Sequence, residues 1–141
     1  MITDRLYSLA EEEGIEVYCG VNLPTTKSVS IREGEQYFIG IDDSVMQSAA
    51  DERVHLAHEI GHCQTGAFYS VYATIDNRRW CENKANAWAI KNLIPKSKLK
   101  RILTSRNGDM SIWELAEHFT VTEDFMRIAI DYYKQFEIFD N

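Results

Sequence analysis

Between Asp4 and Glu13 the apolar residues Leu6, Leu9 and Ala10 recur at spacings of three and one, which predicts a short amphipathic helix ended by Gly14. The period then changes to two. Ile15, Val17 and Cys19 alternate with Glu16 and Tyr18; after Pro24 come Val29 and Ile31, then Tyr37, Phe38, Ile39 and Ile41 beyond Gly34-Glu35. This pattern predicts one strand followed by a hairpin, a small sheet of about three strands. From Asp42-Asp43-Ser44 onward the pattern is helical, with helices expected near residues 50–65, 78–93, 96–104, 111–118 and 122–137. Ser111 and Glu114 spell a capping box, Thr122 stands as an N-cap, and Asn107-Gly108 marks the turn before the last two helices. No internal repeat or low-complexity tract interrupts this order, and the fold class read from it is α+β.

Composition narrows the function classes. The 141 residues are 45% apolar and 26% charged, an ordinary globular composition for one domain of average size. The longest charge-free stretch, Cys63 to Ile75, is 13 residues long and contains Gln, Thr, Gly and Ser, short of the roughly 20 apolar residues that a membrane span needs. Asp4, Arg5 and Glu11-Glu12-Glu13 stand where a secretory signal carries an unbroken apolar run, so a cytoplasmic protein with no membrane partner is expected. Three widely spaced cysteines, Cys19, Cys63 and Cys81, fit buried thiols in a reducing compartment rather than a disulfide framework. Fifteen Lys and Arg against twenty-two Asp and Glu give a formal charge of −7, which argues against direct binding to nucleic acid.

The chemistry concentrates in His58-Glu59-Ile60-Gly61-His62, an H-E-x-x-H motif. A chain of this composition contains such a motif by chance on the order of 0.01 times, so its context has to decide. On a helix, positions i and i+4 share one face, which lets His58 and His62 offer two imidazole nitrogens to one zinc ion. Glu59 is rotated by ~100° from His58 and suits a general base better than a ligand. The opposite side of the same helix carries Leu56, Ile60, Cys63, Ala57, Gly61, Ala50 and Val54. Its small members, Ala50, Ala57 and Gly61, leave room for another backbone to approach.

Zinc hydrolases use three protein ligands and keep a fourth position for water. Glu82 fits the third place: 19 residues separate it from His62, and it starts a helical stripe continued by Ala85, Ala89 and Leu93. A carboxylate on such an inward stripe is costly unless paired or metal-bound. Asn86, one turn further, is placed to accept the free ring N–H of a ligand histidine. His55 shares the histidine face but lies a turn before His58, which suits an outer supporting or solvated role over a ligand role. Cys63 and Cys81 adjoin the ligands in sequence, yet the helical angle turns both toward the core. Tyr69 and Tyr72 are candidates to stabilise an oxyanion, with plain packing as the other reading.

The chain resembles the ImmA/IrrE family of zinc metallopeptidases. The resemblance is carried by Leu56-Ala57-His58-Glu59-Ile60-Gly61-His62, by Thr65-Gly66-Ala67-Phe68-Tyr69, and by Glu82-Asn83-Lys84-Ala85-Asn86-Ala87-Trp88-Ala89 followed by Leu93-Ile94-Pro95, and spans roughly residues 28 to 135. It departs at Lys84, where many relatives are acidic. The resemblance implies that His58, His62 and Glu82 bind zinc and that Glu59 is the general base of a protein-cleaving enzyme. It implies, beyond anything spacing shows, a substrate that is the helix-turn-helix repressor of a phage or other mobile element, cleaved to relieve repression. The fold expected is zincin-like: the sheet packed on a metal-bearing helix pair in residues 1–95, and a helical C-terminal subdomain in residues 96–141.

That subdomain itself resembles a helix-turn-helix around Leu115-Ala116-Glu117-His118-Phe119-Thr120-Val121-Thr122. Residues 111–141 nevertheless carry seven acidic residues against Arg127 and Lys134, a net −5, which suits packing or protein docking rather than phosphate contacts. Two other classes stay open: a module that binds a repressor or other partner without cutting it, its metal structural, and a DNA-binding regulator acting through the C-terminal lobe.

Overall fold

In the computed structural model the alternating segments form β1 (Ile15–Cys19), β2 (Ser28–Glu33) and β3 (Gln36–Ile41). The structure describes residues 2–105 and 109–136, so the turn expected at Asn107-Gly108 lies outside it. The strand order is β1-β3-β2, with β1 parallel to β3 and β2 antiparallel to it. Glu33 pairs with Gln36, leaving Gly34-Glu35 as a two-residue hairpin loop. Gly34 takes φ 64, the left-handed region that tight hairpin turns require and that glycine enters at least cost. Ile39 and Ile41 of the central strand are buried. Among the described residues β2 has a strand neighbour only on its β3 side, which leaves its other edge without a strand partner.

Among the described residues six α-helices complete the α+β fold: α1 (Ile2–Glu12), α2 (Ala49–Thr65), α3 (Ile75–Leu93), α4 (Lys96–Ser105), α5 (Ile112–Phe119) and α6 (Glu123–Phe136). Their ends follow local chemistry. Ser48 caps α2 by accepting from the Asp51 amide, and Ser111 and Glu114 form the expected reciprocal capping box on α5. Thr122 accepts from the Phe125 amide at the start of α6. Helix α3 begins about one turn earlier than its sequence pattern indicates, because Thr74 caps it through the Asn77 amide while its first turns carry the exposed Ile75 and Trp80. Capping chemistry defines that start, and the apolar stripe appears only deeper in.

One continuous core runs from Leu6 and Ala10 of α1 through Ile39 and Ile41, Leu56 and Ile60 of α2, and Ala89 and Ile90 of α3, to Leu115, Phe125, Met126 and Tyr133. Polar ties join the helices across it. Arg53 donates from Nη1 to the carbonyls of Phe119 and Thr120 at 2.7 and 3.2 Å, placing a cation at the carbonyl end of α5. Buried Tyr133 donates to the Ile94 carbonyl at 2.6 Å. The expectation of three buried thiols is corrected at Cys19, which is exposed. It ends an outer strand that has only β3 beside it, and its Sγ lies 3.5 Å from the Tyr7 hydroxyl. No helix among the described residues is long and apolar enough to cross a membrane.

Because Tyr133→Phe would leave the Ile94 carbonyl without its buried donor, it is expected to lower unfolding stability by about 1–2 kcal/mol. Urea denaturation monitored by circular dichroism checks this; an unchanged midpoint would show that the bond contributes nothing.

Candidate metal centre

Helices α2 and α3 approach more closely than ordinary side chains permit. A Cβ on Gly61 would lie 2.6 Å from the Ala85 carbonyl oxygen and 3.1 Å from its Cα, so glycine is the residue that fits. This contact sets the reach of the neighbouring turns. His58 and His62 flank Gly61 on α2, Glu82 and Asn86 flank Ala85 on α3, and their polar ends meet.

His58 Nε2 lies 2.8 Å from Glu82 Oε1, His62 Nε2 lies 3.3 Å from Glu82 Oε2, and the two Nε2 atoms are 3.2 Å apart. The other ring nitrogens are already committed. His58 Nδ1 donates to Asn86 Oδ1 at 2.8 Å and His62 Nδ1 donates to the Ala67 carbonyl at 2.7 Å. Both partners only accept, so each neutral ring carries its proton on Nδ1 and turns an Nε2 lone pair toward the other ring and the carboxylate. Three electron-rich atoms thus converge where, among the described residues, no lysine or arginine pairs with them. Tetrahedral coordination with zinc–nitrogen bonds near 2 Å separates ligand atoms by about 3.3 Å, so these residues fit a divalent ion.

The electrostatics agree. When the rings are protonated, the hydrogen bond from His58, then that from His62, holds the Glu82 carboxyl well below the usual carboxylate range. Burial works against a charged His62, but Glu82 and the Ala67 carbonyl outweigh it and raise that ring above its ordinary value. Protons and a metal ion therefore compete for the same lone pairs.

Glu59 stands beside the triangle, buried at 7% exposure, and its Oε2 accepts from the Ser28 hydroxyl at 2.7 Å. His55 is not brought into the cluster: its Nδ1 lies 3.2 Å from Ser28 Oγ and its Nε2 3.4 Å from Asp51 Oδ1. Burial lowers the pKa of this ring, more than Asp51 raises it. Tyr69 reaches the site, donating to Glu82 Oε2 at 2.8 Å, and that bond pushes its hydroxyl up to about 12. Tyr72 is 93% exposed and does not reach it. Cys63 and Cys81 are buried away from the triangle; burial pushes the Cys63 thiol up to about 12, and Cys81 contacts the Phe68 carbonyl.

His55, His58, Glu59, His62, Tyr69 and Glu82 line a cleft of about 530 Å³, closed on the sheet side by Thr26, Ser28, Val29 and Ser30. Sequence reasoning missed this wall. The signal that was present is the alternation of Ser28 and Ser30 with Val29 and Ile31, which puts the two serines on one face of β2.

A family model described as the IrrE N-terminal-like domain, a peptidase family, matches residues 10–131. No curated protein and no solved structure matches the chain.

Two outcomes follow from the geometry. Gly61→Ala forces the α2–α3 contact apart and is expected to cost about 1–3 kcal/mol of stability and to weaken divalent metal binding. Urea denaturation and calorimetric titration read both effects, and a substitution without consequence would contradict the close approach. For pH, a protonated His62 supports the metal-free fold below the ordinary histidine range, and this support is lost as pH rises through its raised value. A metal ion requires the neutral ring, so the rise in Tm on adding zinc should be larger near about pH 8 than near about pH 5.5, and equal rises would count against the site.

Proposed function

We propose, from the premise that this chain belongs to the IrrE N-terminal-like family of metallopeptidases, that it is a zinc-dependent endopeptidase acting on a protein substrate. The observation that carries the reading is the meeting of His58, His62 and Glu82 around a point that their lone pairs leave electron-rich, with Glu59 alongside. Three donors match the ligand number of catalytic zinc sites, whereas structural sites close with four. The donor count therefore favours an enzyme over a binding module with a structural metal.

Zinc held by these three residues would supply a Lewis acid that polarises the scissile carbonyl and makes a water nucleophilic at neutral pH. The remaining steps belong to the chain's own side chains. Glu59 takes the proton from the attacking water on its carboxylate and returns it to the departing amine nitrogen as the C–N bond breaks. Asn86 and the Ala67 carbonyl keep both ligand rings in the tautomer that leaves Nε2 free. The Tyr69 hydroxyl, protonated at neutral pH, is a donor that can turn from Glu82 toward a developing oxyanion.

The cleft wall supports a polypeptide substrate. The open edge of β2 runs past the triangle, and an exposed strand edge pairs with an extended polypeptide through backbone hydrogen bonds. Within that class the ImmA/IrrE resemblance points to a helix-turn-helix repressor encoded beside the gene for this chain, met in the cytoplasm and without direct contact between this chain and nucleic acid.

Glu59→Gln tests the assignment. The variant is expected to fold and bind zinc like the parent while its cleavage of the neighbouring repressor, followed by mass spectrometry of the fragments, falls by at least about 100-fold. Cleavage undiminished in the variant would remove Glu59 as the base, and an intact repressor after incubation with the zinc-loaded parent would count against the substrate.

A further inference from the structure

The buried polar wall behind Glu59 is more elaborate than packing requires. Ser28 is only 4% exposed, and among the described residues its hydroxyl is the one hydrogen-bond donor to the Glu59 carboxylate, at 2.7 Å on Oε2. Oε1 of the same carboxylate has no protein partner there, while Glu59 lines the cleft. A glutamate side chain turns about three torsions, so the single bond from Ser28 selects which of its oxygens faces the cleft.

Ser28 is itself held from several directions. Its carbonyl accepts from Thr26 Oγ1 at 3.0 Å, the preceding carbonyl of Lys27 accepts from the Asp42 amide at 2.9 Å, and Ser28 pairs in register with Ile41. Lys27 Nζ reaches Asp51 on α2 at 2.7 Å, which pins the start of β2 to the helix that carries Glu59. The serine hydroxyl has one proton, and donating it to the Glu59 carboxylate leaves its oxygen as the acceptor for His55 Nδ1, 3.2 Å away. His55 Nε2 in turn lies 3.4 Å from Asp51 Oδ1.

We propose that Ser28 is a positioning residue for the general base: its hydroxyl, oriented by His55, fixes the Glu59 carboxylate so that Oε1 is presented to the attacking water. This rests on Glu59 acting as the base, as proposed above. Ser28 touches no reacting atom; it acts through Glu59. Removing the hydroxyl leaves a buried carboxylate oxygen without its donor, and the side chain then turns to find water. Losses of roughly 10–100-fold in activity are usual when an outer partner of a metal site is removed.

The test uses the full chain loaded with zinc, fluorescein-labelled casein as the probe, and three variants, Ser28→Ala and the equally shaped pair Ser28→Thr and Ser28→Val. Expected are parental zinc content in all three, kcat lowered roughly 10–100-fold with KM unchanged in Ser28→Ala and Ser28→Val, and recovery of most of kcat in Ser28→Thr. A second readout needs no substrate: crystals of zinc-loaded Ser28→Ala should show the Glu59 carboxylate turned from its parental position. Parental kcat in Ser28→Val, equal loss in Thr and Val, or a Glu59 carboxylate unmoved in the crystal would each overturn the proposal. Loss of zinc instead of kcat would assign Ser28 a purely structural role and overturn it as well. If the parent and Glu59→Gln treat casein alike, the peptidase reading is what fails, and the crystallographic comparison alone then decides whether Ser28 orients Glu59.

Discussion

The contact of Gly61 with the backbone of Ala85 is the constraint from which the rest of the site follows, since a Cβ at position 61 has no room. Two helices meeting this closely cannot slide or roll freely, because each turn interlocks with the next. The polar turns on either side are therefore set in register: His58 meets both Asn86 and Glu82, and His62 meets Glu82. A metal site of three separate side chains gains affinity only if its ligands are fixed before the ion arrives. Here the close backbone contact between α2 and α3 does that fixing.

Around this hinge the molecule separates two kinds of burial. Leu56, Ile60, Ala89 and Ile90 join the core and contribute area removed from water. Glu59, His62, Ser28 and Asp51 are also buried, yet each has a specific polar partner: Ser28 for Glu59, the Ala67 carbonyl for His62, and Lys27 for Asp51. Burying such groups is tolerable only with those partners in place. The triangle is the exception, because the His58 and His62 lone pairs and the Glu82 carboxylate face one another and, among the described residues, no lysine or arginine pairs with them. That imbalance, and not the presence of a motif, is the physical reason to expect a divalent ion there.

Much of this was legible in the chain. A helix repeats its faces every three to four residues, so His58 and His62 could be read as sharing one face and Glu82 as an inward carboxylate with Asn86 one turn on, and the small residues Ala50, Ala57 and Gly61 signalled that another backbone could come close. What resisted reading depends on contacts between residues far apart in sequence. Ser28 lies 31 residues from Glu59 and looks like any strand serine until the sheet is laid beside α2. Tyr69 and Tyr72 are indistinguishable by composition; only the path of the loop after Gly66 brings the first to Glu82 and leaves the second in solvent. Cys19 was counted among buried thiols from the number and spacing of the cysteines, which say nothing about whether anything covers the end of its strand. The start of α3 was hidden for the opposite reason, its first turns being helical through a threonine cap with no apolar stripe to announce it.

The most direct measurement is an anomalous difference map from a crystal of the zinc-loaded protein collected at the zinc absorption edge. The account requires one strong peak about 2 Å from both His58 Nε2 and His62 Nε2 and within bonding distance of a Glu82 carboxylate oxygen. A map without that peak, or with zinc held elsewhere on the chain, would contradict it.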